Sequence, residues 1–88
     1  MNIISTEKAP GAIGPYSQGI AAGETVYVSG QLPLDPATGA FPEGIAAQTA
    51  QSLKNIQAIL AQQGMTLANV VKTTVFLADI NDFAEMNK

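Results

Sequence analysis

One helical stripe does most to limit what this chain can build. Ile45, Thr49, Leu53, Ile56 and Leu60 recur at steps of 4, 4, 3 and 4, the spacing of one face of an α-helix. Ala50, Ala58 and Ile59 widen that face, while Gln48, Gln51, Lys54, Asn55 and Gln62 suit a solvated one. The spacing predicts a helix from about Ile45 to Gln63, with Gly64 placed as its C-terminal stop. An apolar stripe must be covered, and the other segments with strong patterning are strands.

Before the helix the chain reads as strands and turns. Asn2 to Ser5 suits a short first strand. Ala9 to Tyr16 holds two Pro and two Gly, so it forms an ordered loop that neither helix nor strand can absorb. Ser17 to Ala22 and Thr25 to Gln31 flank Gly23-Glu24, and Gly in the first central position suits a type II′ hairpin turn. Leu32 to Gly44, with three Pro and the turn sequence Asp35-Pro36-Ala37-Thr38-Gly39, is a surface loop.

After the helix, Leu67 to Leu77 predicts another strand. Val71, Thr73, Val75 and Leu77 share the face able to cover the helix; Lys72, Thr74 and Phe76 share the other. Phe76 reads either as a subunit contact or as a lone exposed aromatic. Asp79 to Lys88 opens a second helix, N-capped by Asp79 or Asn81, with Asp82 and Glu85 in its first turns. That helix carries no stop signal, so the sequence is expected to be cut rather than finished.

Composition removes several kinds of chemistry. With 47% apolar and 12% charged residues, the chain is not an intrinsically disordered tail. Its 88 residues allow one small domain, expected to bury only ~60–65% of its unfolded surface, and oligomerisation is the usual remedy. There is no apolar run of membrane-spanning length and no basic-then-apolar leader, so a cytoplasmic protein is expected. No Cys means no disulfide and no thiolate; no His removes the usual general base. The four cations are all Lys, so the bidentate Arg fork for carboxylate and phosphate is missing. A net charge of -3 argues against nonspecific nucleic-acid binding. The scattered acids give no metal site: Asp79, Asn81 and Asp82 lack the Gly and later Glu of a calcium loop.

Three residues stand out locally, each with two readings. Ser29 has no base to make it a nucleophile; it is either a hydrogen-bonding group at a pocket mouth, with Gly30 baring its N–H to a ligand, or a strand end followed by a bulge. Tyr16, held by Gly14-Pro15, either aims a phenol at a ligand or packs its ring under the loop. Asn87 offers a donor and an acceptor, or is simply solvated.

The runs Gly14-Pro15-Tyr16-Ser17-Gln18-Gly19 and Val28-Ser29-Gly30-Gln31-Leu32-Pro33 resemble the RidA/YjgF family of reactive-intermediate deaminases. Further matches are Asp35 to Gly39, Gln48 to Ile56, Val71 to Leu77 and Asn81-Asp82-Phe83, so the resemblance covers the whole chain. It implies an α+β, chorismate-mutase-like fold: a mixed sheet backed by two helices, in a homotrimer with ligand sites between subunits. Residues 1–88 then form a single RidA-like domain lacking the family's last two strands.

The implied activity is hydrolysis of 2-imino acids or their enamine tautomers, such as 2-iminobutanoate and 2-iminopropanoate, to 2-keto acids and ammonia, without metal or cofactor. By resemblance Tyr16, Ser29, Gly30 and Asn87 bind substrate, and Phe83 helps wall the cleft. The family's carboxylate-binding Arg and water-orienting Glu are expected beyond Lys88, so no catalytic residue lies within the chain. One absent strand is expected inside the sheet, so the chain alone is expected to fold poorly and to be inactive. A small-carboxylate-binding module without turnover, or the endoribonuclease activity named for part of the family, are the other readings; the acidic pI and missing Arg and His weigh against the second.

Overall fold

A computed structural model describes residues 1–12, 14 and 16–87. Ile13 and Pro15 of the expected loop and Lys88 of the expected second helix lie outside the described residues.

Three strands, β1 (Asn2–Ile4), β2 (Gly19–Ala22) and β3 (Thr25–Val28), form an antiparallel sheet in the order β1-β2-β3. Ala22 pairs with Thr25 across the two-residue turn, where Gly23 takes φ 60 and Glu24 keeps a negative φ. That is the conformation for which Gly in the first central position was read. Both hairpin strands are shorter than the sequence suggests: Ser17 and Gln18 precede β2, and Ser29 to Gln31 follow β3. Along β3 the alternation is clear, with Val26 and Val28 turned inward and Thr25 and Tyr27 exposed.

The long helix, α1 (Ile45–Ala61), lies against this sheet. The described core is Ile4, Ala9 and Ile59, joined by Ala21, Val26, Val28 and Ala58. Gly19 permits the close approach: a Cβ there would meet Ile59 Cγ2 at 3.0 Å and the Tyr27 carbonyl oxygen at 3.2 Å. The helix stops as expected at Gly64, which takes φ 68. The Gly64 N–H donates to Ala61 O at 3.1 Å and the Met65 N–H to Leu60 O at 3.0 Å, the bond pair of a Schellman stop. Residues 62–64 are turn, so α1 ends two residues before Gln63.

Three sequence expectations for α1 are corrected, the first being Ala50, assigned to the apolar face but exposed. Asn55, assigned to the wet face, is 0% exposed; Leu53, assigned to the apolar stripe, is 42% exposed. The burial axis runs through Asn55, Ile59 and Leu60 because the helix is covered on that side by the Leu32–Gly44 loop as well as by the sheet. A carboxamide can sit there because its hydrogen bonds are all made, as described below.

The expected strand from Leu67 to Leu77 does not form. Leu67–Asn69 is a short 3₁₀ turn capped by the Thr66 hydroxyl, and residues 70–78 run without a ladder. Val71 is 98% exposed and Phe76 93% exposed. The segment has strand composition, but a strand needs a partner row of N–H and C=O groups, and none of the described residues supplies one. The expected mixed sheet is accordingly represented by its antiparallel strands alone.

The chain then caps its last helical stretch with Asp79, whose Oδ1 accepts from the Asn81 N–H at 2.9 Å. A 3₁₀ turn, Ile80–Asp82, leads into α2 (Phe83–Met86), which packs against α1. Among the described residues, no helix is long and apolar enough to cross a membrane.

Candidate functional site

The Pro- and Gly-rich loop before β2 is held by one side chain. Gln18, 3% exposed, accepts at Oε1 from the Thr6 N–H at 2.7 Å. Its Nε2 donates to the carbonyls of Pro10 at 2.7 Å, Thr6 at 3.0 Å and, more weakly, Ala9 at 3.3 Å. The Gln18 carbonyl in turn accepts both the backbone N–H and the hydroxyl of Ser29, each at 3.0 Å. The loop and the end of β3 therefore meet on one residue.

Tyr16 sits on this loop, its N–H donating to Gly14 O at 2.9 Å in a tight turn where Gly14 takes φ 103. The ring is half exposed rather than packed under the loop, and its hydroxyl has no partner among the described residues. Across a narrow cleft of about 80 Å³ lies the strand end Gly30-Gln31-Leu32, with Pro10, Gly11 and Leu34 completing the walls. Gly30 is exposed, its N–H has no partner among the described residues, and a Cβ added to it would meet nothing within 4 Å. Tyr16 and Gly30, each with a free donor group, thus line one cleft.

Tyr16 and Gly30 line the same cleft, while Ser29, the residue before Gly30, is not part of its lining. The Ser29 hydroxyl proton is engaged by Gln18, which leaves the oxygen lone pairs as its free function. Asn87 lies elsewhere. It ends α2, exposed, with its N–H donating to Phe83 O at 3.1 Å, and it does not line the Tyr16–Gly30 cleft. Phe83 is also exposed and away from that cleft.

A larger, open groove of about 780 Å³ shares Pro10, Gly11 and Leu34 with this cleft and is bordered also by Thr6, Lys8, Gln18 and Gln62. Its lining carries one cation, Lys8, and one anion, Glu7, with the Ser5 hydroxyl and the Gln62 carboxamide also without a partner among the described residues.

Sequence reasoning missed two residues that shape the region. Gln18 was only part of a matching run, and Asn55 was placed in solvent. Asn55 Nδ2 donates to Leu32 O at 3.0 Å and Leu34 O at 2.9 Å, while its Oδ1 accepts from Gln51 Nε2 at 2.9 Å. These bonds fix the cleft wall that Leu32 and Leu34 form. The available signal was its position four residues before Ile59, on the same helical face.

Comparison with known proteins adds family context. Residues 6–88 match the family described as Endoribonuclease L-PSP. A RutC family protein of Haemophilus influenzae is 56% identical over 85 residues, covering 97% of this chain and 65% of that protein. A 2-iminobutanoate/2-iminopropanoate deaminase of Salmonella typhimurium is 54% identical over 84 residues, covering 96% of this chain and 66% of that protein. The crystal structure of E. coli TdcF with bound serine superposes with a TM-score of 0.95 at 46% identity, covering 99% of this chain and 68% of that one. The chain spans about two thirds of the length of these relatives.

Proposed function

This chain belongs to the RidA/YjgF family, described as Endoribonuclease L-PSP, and has its fold; from that premise we propose that it serves the hydrolysis of reactive 2-imino acids to 2-keto acids and ammonia. The observation that supports the reading is that Tyr16 and Gly30, whose hydroxyl and N–H have no partner among the described residues, line one cleft. A 2-imino acid presents a carboxylate and a C=N nitrogen, both acceptors. Two donors suit it, because each can meet one of those acceptors.

The chemistry asks little of the protein. Water adds to the electrophilic imine carbon, the nitrogen gains protons, and the C–N bond breaks to leave a C=O and ammonia. Orientation of substrate and water is the main requirement. Ser29 offers its lone pairs beside Gly30, and Asn87 completes the site from a neighbouring protomer of a homotrimer, since within one chain it lies away from the cleft. The Arg and Glu implied by the family resemblance are expected beyond Lys88. The 88 residues, as one RidA-like domain acting in the cytoplasm, supply the binding half of the site and no turnover by themselves.

A second reading has its own support. A relative was crystallised with serine bound, which favours a module that holds small amino or keto carboxylates without turnover. The test is release of ammonia and 2-ketobutyrate from freshly generated 2-iminobutanoate. The 88-residue chain is expected to match the uncatalysed rate while binding 2-ketobutyrate. Turnover by the chain alone would overturn the division of labour between these residues and those beyond Lys88.

A further inference from the structure

We infer that Gln18 is the positioning residue of the cleft: its buried carboxamide fixes where Tyr16 stands relative to Gly30. The inference deepens the proposed reading and rests on it for its functional meaning, but the geometry is independent of any substrate.

Both cleft walls depend on this one residue. The side chain holds the loop at Thr6, Ala9 and Pro10, and Pro10 and Gly11 are themselves part of the cleft lining. The backbone carbonyl holds Ser29 twice, immediately before Gly30. Outside the sheet ladders, no other described residue bonds both to the loop before Tyr16 and to the strand end after β3. A carboxamide meets the side-chain position at any pH, whereas an ionised carboxylate does not. One end must accept from the Thr6 N–H while the other donates to carbonyls, and a carboxylate would meet those carbonyl oxygens with like partial charge.

This requirement gives the inference a pH signature. In Gln18→Glu the new carboxyl would be buried against carbonyls, which raises its pKa above the usual carboxylate range. Protonated, it can donate to Pro10 O and restore the short bond; ionised, it cannot. With the folded pKa raised, loop order is retained at low pH and lost as pH rises toward that value. The charged groups bordering Gln18 are Glu7 and Lys8 on the same loop; Gln62, just after α1, and Leu34, Pro36 and Gly39 from the 32–44 loop carry no charge.

The experiment compares the unmodified chain, Gln18→Ala and Gln18→Glu by NMR, following the Tyr16 ring and Gly30 amide with Tyr27 of the hairpin as internal control. Gln18→Ala is expected to broaden or average the Tyr16 and Gly30 signals at every pH while Tyr27 keeps its native shifts. Gln18→Glu is expected to show near-native Tyr16 and Gly30 signals at pH 5.5 and averaged ones at pH 8, with the unmodified chain unchanged between the two. Native Tyr16 and Gly30 signals in Gln18→Ala would overturn the inference. Loss of the Tyr27 signals in both variants at both pH values would overturn it too, by making Gln18 a residue of the whole fold. The readout is order, not ligand binding. Ordered signals that behave as stated but ignore 2-ketobutyrate would refute the proposed function and leave Gln18 in its role.

Discussion

The side-chain amide of Asn55 donates to the Leu34 carbonyl oxygen at 2.9 Å, tying the middle of α1 to the Pro-rich loop. The same nitrogen reaches Leu32 O, so removing it leaves two carbonyls and the Gln51 amide without their partner. Asn55→Ala is expected to cost about 1–3 kcal/mol, read as a lowered urea midpoint at unchanged slope. Because Leu32 and Leu34 line the cleft, the Gly30 amide resonance should shift as well.

Gly19 is where the helix touches the sheet. Gly19→Ala would press a methyl against Ile59 Cγ2 and the Tyr27 carbonyl, and the second of these is backbone that cannot swing aside. A destabilisation of roughly 1–3 kcal/mol is expected by urea unfolding. Gly30→Ala is the contrasting case: its φ is not positive and its surroundings are open. It should leave stability unchanged or raise it by up to about 1 kcal/mol, while the methyl beside the Gly30 N–H is expected to weaken 2-ketobutyrate binding.

Ile59 and Phe76 separate composition from burial. Ile59 is fully buried in the core, so Ile59→Ala is expected to cost about 2–5 kcal/mol. Phe76 is almost wholly exposed on a segment without a ladder, so Phe76→Ala should fall within about 0.5 kcal/mol of the unmodified chain. Paired urea titrations of the two variants check both.

The segment around Phe76 also bears on association. Val70 to Leu77 is β-branched and aromatic, has one charge and no Pro, and from Val71 on its backbone groups have no partner among the described residues. Val71→Lys with Phe76→Lys is expected to reduce concentration-dependent light scattering without moving the urea midpoint.

What could be read from the sequence was what short-range physics decides. The Gly23-Glu24 turn, the Gly64 stop, the Asp79 cap and the alternation of β3 each follow from a few neighbouring residues. The Asp35 turn does too, closing with the Gly39 N–H donating to Asp35 O at 2.8 Å. What could not be read was set by distant partners. Residues 70–77 have strand composition, but a ladder belongs to two segments, and composition reports only one. Asn55 looked solvated because its partners, Leu32 and Leu34, lie more than twenty residues away in sequence. In the cleft, the open backbone of Gly30 was legible from its residue type; Gln18, which joins the loop to the end of β3, was not, because its bonds span a loop.

The most direct measurement is a titration of the ¹⁵N-labelled chain with 2-ketobutyrate, followed at the Gly30 amide and the Tyr16 ring. Saturable shifts at both, with Tyr27 unmoved, are the expected result. Shifts confined to the groove of Thr6, Lys8 and Gln62, or none at all, would contradict the assignment of the Tyr16–Gly30 cleft as the ligand site.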